Sequence, residues 1–116
     1  MAIPHDDDIQ FEVLKLLSKV PAGTMYCMDV YRELAKRYPQ LTEDEVEFRY
    51  KNSVSHWANR VQFARWHLIE KGFIYRPYVM NDRGFWTITE AGRRWVFESE
   101  VIAENLLIEL GNFNKD

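Results

Sequence analysis

The chain has 116 residues, 47% of them hydrophobic and 15% aromatic, which suffices for one domain with a core that needs no covalent staples. Its single cysteine, Cys27, excludes an intrachain disulfide framework, the opening MAIPHDDDIQ is too acidic for a signal peptide, and no apolar run reaches spanning length, so a cytoplasmic protein is expected. The net charge of -3 runs against nucleic-acid binding, yet residues 1–48 hold 5 Lys/Arg against 10 Asp/Glu, residues 49–94 hold 9 against 3, and residues 95–116 hold 1 against 5, so a basic block lies between acidic flanks.

The first predicted helix starts behind Asp6, Asp7 and Asp8, acids that suit the positive end of a helix dipole. Ile9, Val13, Leu14, Leu16, Leu17 and Val20 follow at helical spacing, and Pro21 and Gly23 end it. MYCMDVYRELAKRYPQ gives a second helix with Val30, Leu34, Ala35 and Tyr38 on one face and Pro39 as the stop. Thr42 followed by Glu45 is a capping-box spacing, opening a short helix or turn over 43–50. The longest helix is predicted over 53–71, capped by Asn52 or Ser53 and closed by Gly72. At about 100° per residue, Val54, Trp57, Ala58, Val61, Ala64, Leu68 and Ile69 share its core face, with Arg65 at the edge. His56, Asn59, Arg60, Phe63, Trp66 and His67 lie largely opposite.

FIYRP then reads as a strand, Asn81, Asp82 and Gly84 as turn residues, and FWTIT as the return strand. Thr89 caps a last helix from about residue 90 to residue 110, ahead of Gly111. Three helices before a two-stranded ribbon make a mainly α winged helix-turn-helix with an extra C-terminal helix: one domain over 1–116, its core in 7–94.

NRVQFARWHLIEKGFI, a gap, and RGFWTITEAGRRW together resemble the N-terminal domain of Mrr-type restriction endonucleases. Asn59, Arg60, Val61, Phe63, Ala64, Arg65, Leu68, Gly72, Phe73 and Ile74 fit the first block of that family's pattern. Arg83, Gly84, Trp86, Ile88, Thr89 and Gly92 fit the second. The resemblance implies a winged-helix DNA-binding module of the kind that targets a nuclease. No nuclease domain follows within this sequence, so a targeting or regulatory module, with any nuclease partner acting in trans, is the expectation. Phe63 falls where the family is usually aromatic, which favours packing over base stacking for its ring.

A winged helix that reads duplex DNA lays its long helix in the major groove and its wing along the backbone. Asn59 suits adenine and Arg60 guanine, by bidentate geometry. Ser53, Ser55 and His56 suit base or phosphate contacts, and Lys51, Arg76 and Arg83 suit phosphates. Asn59 and Arg60 are equally open to a role in holding the helix to the fold. The rival reading is a protein-interaction module, including an inhibitor or DNA mimic, because winged helices also bind proteins. The last helix presents Trp95, Ile102, Leu106 and Leu110 near one stripe, either docked on the first helix or paired with a second copy; a homodimer fits symmetric half-sites. No catalytic residue, metal site or cofactor is expected. Cys27 and the three histidines have neither zinc spacing nor a nucleophile–base arrangement, and Asp6–Asp8 suit a helix start better than a cation.

Overall fold

A computed structural model describes residues 3–46, 55–79 and 84–113. In chain order it contains α1 (Asp6–Ser18), β1 (Thr24–Tyr26), α2 (Cys27–Ala35), α3 (Glu43–Val46), α4 (His56–Glu70), β2 (Phe85–Thr87) and α5 (Glu90–Phe113). The fold is a mainly helical winged helix-turn-helix with a long C-terminal helix.

The apolar faces read from the sequence meet in one core. Ile9, Val13, Leu14 and Leu17 of α1 pack with Val30 and Leu34 of α2 and with Trp57, Val61 and Leu68 of α4, all essentially fully buried. Burying each such side chain contributes about 1.5–3 kcal/mol, so this three-helix contact dominates stability. A polar clasp closes its edge: Asp6 accepts from Gln10, His67 Nδ1 lies 2.8 Å from the Asp6 carboxylate, and Lys71 donates to the Gln10 side chain at 2.7 Å.

The wing differs from the expected hairpin. β2 pairs antiparallel with β1, in the register Thr24↔Thr87, Met25↔Trp86 and Tyr26↔Phe85. The segment after α4 lies on the other edge of β2, but only as a bridge between Ile74 and Ile88, with Tyr75 N–H donating to the Thr87 carbonyl at 3.0 Å. The second helix accordingly begins at Cys27 and not at Met25, because Thr24–Tyr26 is drawn into the sheet. Proline at 77 limits the partner strand, since it has no N–H to donate to a ladder.

Several end signals act as their chemistry requires. Glu45 N–H donates to Thr42 Oγ1 at 3.2 Å while Thr42 N–H donates to the Glu45 carboxylate at 2.8 Å, a reciprocal capping box. Gly92 N–H donates to Thr89 Oγ1 at 3.0 Å, so Thr89 caps α5. At the end of α4, Phe73 N–H donates to Leu68 O and Gly72 N–H to Ile69 O, the paired bonds of a Schellman motif with Gly72 at φ 81°. The cap at the start of α4 is Ser55, whose buried hydroxyl accepts from Ala58 N–H at 3.0 Å. Asn52, Ser53, Val54, Asn81, Asp82 and the expected helix beyond Val46 lie outside the described residues.

α5 is longer than expected and passes through Gly111. Its first turns are held by Val96 in the core and by Trp95, whose ring meets Phe11 at 5.7 Å and Phe73 at 5.6 Å. From Glu100 to Asn112 every residue is exposed, and the projecting helix contributes to an elongated outline of 60 × 33 × 23 Å.

Candidate nucleic-acid interface

Burial of Trp57, Ala58, Val61, Ala64, Leu68 and Ile69 fixes the rotation of α4. His56, Asn59, Arg60, Phe63, Trp66 and His67 are thereby turned to solvent along its opposite face. Trp57 Nε1 donates to the Tyr31 carbonyl at 2.8 Å, tying α4 to α2 and fixing the pitch of that outward face.

The ion pairs divide by segment. Asp29 pairs with Arg32, Glu33 with Lys36, and Glu12 with Arg37, so acids of the first 48 residues meet cations of the same stretch. Asp6 pairs with His67 of α4. Among the described residues, no ion pair engages Arg60, Arg76 or Arg94, and all three are exposed. These three cations of the basic block therefore have no acidic partner among the described residues.

The sequence-predicted contacts separate accordingly. His56, Asn59 and Arg60 share the solvent face of α4, and Arg76 is exposed in the turn where Val79 N–H donates to its carbonyl at 3.3 Å. Ser55 is buried and occupied as the α4 cap. Lys51, Ser53 and Arg83 lie outside the described residues. Phe63, expected to pack and not to stack on bases, is 51% exposed and stands on the opposite side of α4 from the buried arc, outside the core. Of the four stripe residues on the last helix, Trp95 is taken up within its own chain, whereas Ile102, Leu106 and Leu110 are exposed.

Sequence reasoning missed the surroundings of Arg65. Its guanidinium lies 4.9 Å from the ring centre of Trp86, and its Nε is buried without a hydrogen-bond partner. Burial lowers its pKa from the ordinary guanidinium value, against the pull of nearby Tyr31 and Cys27. Tyr31 is buried beside it, with its hydroxyl accepting from Gln62 Nε2 at 3.0 Å; burial raises its pKa to about 12. These residues line a cleft of about 310 Å³ between α4 and the base of the wing.

The sequence profile of the Mrr N-terminal domain matches residues 7–98, from α1 to the first turns of α5. The chain belongs to the Mrr N-terminal domain family. The matched region is the N-terminal domain of the Mrr type, a restriction-system-related module distinct from a nuclease domain. No curated protein and no solved structure matches the chain. Among the described residues of this Mrr N-terminal domain, no helix is long and apolar enough to cross a membrane. No group of three or more His, Cys, Asp or Glu among those residues could hold a metal ion.

Proposed function

We propose that this Mrr N-terminal domain binds duplex DNA as a targeting or regulatory module of a restriction-type system, with α4 in the major groove and the wing along the backbone. The supporting observation is the free cationic and amide face of α4. Arg60 is exposed beside Asn59, and no ion pair among the described residues engages it. Arg60 and Asn59 carry the donor geometry that reads guanine and adenine, with His56 one turn earlier. Arg76 supplies a phosphate contact that positions the module without reading sequence. Lys51, Ser53 and Arg83 belong to the same proposal through their place in the basic segment.

The outer half of α5 favours a homodimer. Ile102, Leu106, Leu107 and Leu110 are exposed on one side of a helix that has left its own core. An isolated helix face of this kind gains by burial, and a two-fold pairing lets the same stripe serve both copies. Such a dimer presents two α4 helices to two half-sites.

The test is anisotropy of a labelled random-sequence duplex titrated at several salt concentrations. Counterion release gives affinity that falls steeply with salt, and replacing Arg76 by Ala weakens binding to all sequences and flattens the slope. A folded protein that ignores duplex DNA at low salt supports the alternative, a protein-interaction winged helix that includes the inhibitor and DNA-mimic possibilities.

A further inference from the structure

The cleft between α4 and the wing is built from rings. Trp86 and Tyr31 form a buried floor, meeting edge to face at 5.7 Å. Trp66 from α4, and Phe85 and Tyr78 from the wing side, are exposed around it. Tyr78 is 69% exposed and has φ 66°, a backbone conformation unfavourable for a residue with a side chain. Solvent-exposed aromatics gathered at one opening are a recognition feature more than a packing one.

The polar content of the cleft narrows its ligand. Arg65 lines it, and the buried Arg65 Nε has no partner among the described residues. A guanidinium can only donate, so a ligand that meets Arg65 at the lining must bring an acceptor. The guanidinium already covers Trp86, which disfavours a cationic ligand of the kind held by aromatic cages. Aromatic faces are electron-rich and repel an anion laid upon them. A volume of about 310 Å³ lies at the small end of ligand pockets, suited to one ring system and not to a peptide segment. A neutral planar ring with acceptors on its edge meets every requirement.

We infer that this cleft binds a single nucleobase, stacked against Trp66 and the wing aromatics, with an edge acceptor facing the Arg65 guanidinium at the cleft lining. The base comes either from an unpaired nucleotide in a nucleic acid or from a free nucleotide. The first source rests on the DNA-binding reading, since the cleft lies between the two elements placed on the duplex.

Two duplexes of the same sequence separate these cases, one fully paired and one with a central guanine opposite an abasic site; GMP alone, measured by titration calorimetry, is the third probe. The wild-type chain binds the orphan-base duplex about tenfold tighter than the paired one, the scale of one base–aromatic stack. Trp66→Ala and Arg65→Lys abolish that preference, read as the ratio of the two affinities for each variant. Because Trp66 is 47% exposed, its removal spares the core and carries the test if Arg65→Lys misfolds. Equal affinity for the two duplexes, with paired binding intact, overturns the nucleobase site on DNA and leaves the DNA reading standing. GMP binding that Trp66→Ala removes, without binding to either duplex, supports the cleft and overturns the DNA reading. A chain that takes neither GMP nor the orphan base overturns the inference outright.

Discussion

The indole Nε1 of Trp57 donates a 2.8 Å hydrogen bond to the carbonyl oxygen of Tyr31, with both residues buried. The bond spans α2 and α4, the two helices whose relative pitch sets the outward face of α4. Tyr38 packs on the same indole at 5.4 Å, edge to face. Replacing Trp57 by Phe removes this hydrogen bond between the helices and opens a void beside Tyr38. The expected loss is about 2–4 kcal/mol of unfolding free energy, read from urea melts followed by circular dichroism. A loss below about 0.5 kcal/mol, the level of an inconsequential surface change, contradicts this role.

Gly92 sits where α5 crosses the segment leaving α4. A Cβ at this position would stand 2.4 Å from the Phe73 carbonyl oxygen and 2.8 Å from the Ile88 side chain. The first neighbour is backbone and cannot swing aside, so Gly92→Ala forces α5 off the wing at a cost of about 1–3 kcal/mol. Thermal melts check this, with Gly111→Ala as the control, because nothing lies within 4 Å of a Cβ there.

Stability should be lost at high pH. Burial pushes both Tyr31 and Tyr38 from the ordinary 10.0 up to about 12. The folded state holds these protons more tightly than the unfolded chain, so their contribution is fully present below pH 10 and disappears as pH rises towards about 12. Denaturant midpoints recorded from neutral pH upward should be level and then fall across that window. Tyr31→Phe with Tyr38→Phe should make the fall shallower. The buried Tyr38 hydroxyl has no hydrogen-bond partner among the described residues, so Tyr38→Phe alone should not destabilise the protein at neutral pH.

The α5 stripe predicts a dimer in sedimentation at micromolar concentration. Leu106→Glu places a charge in the stripe and should give a folded monomer with an unchanged circular-dichroism spectrum, since Leu106 touches nothing in its own core. A wild-type monomer at high micromolar concentration contradicts the pairing.

Much of the fold was legible because its signals are local. The arc Trp57, Ala58, Val61, Ala64, Leu68 and Ile69 is written at helical spacing and is buried as written. Thr42 with Glu45, Thr89 and Gly72 announce their ends through chemistry that needs no distant partner. β1 was not legible, because Thr24–Tyr26 is too short to alternate and becomes a strand only when Phe85–Thr87 arrives beside it. The cap of α4 is Ser55, and spacing alone does not pick it out because Asn52, Ser53 and Ser55 carry similar capping chemistry. The outward row His56, Asn59 and Arg60 followed from the same periodicity as the core. The cleft did not, since it joins Tyr31, Arg65 and Trp86 across three elements.

The most direct measurement of whether α4 reads duplex DNA compares the wild-type chain with Arg60→Ala. Both are titrated against a duplex enriched from a random pool by the wild type and against a scrambled control, with melting temperatures recorded in parallel. Arg60 is exposed and unpaired, so the melting temperature should not move. Affinity for the enriched duplex should fall by about 1–3 kcal/mol, while affinity for the scrambled duplex changes little beyond the loss of one charge. Equal affinity of both proteins for the enriched duplex, with melting unchanged, would contradict the placement of α4 in the groove.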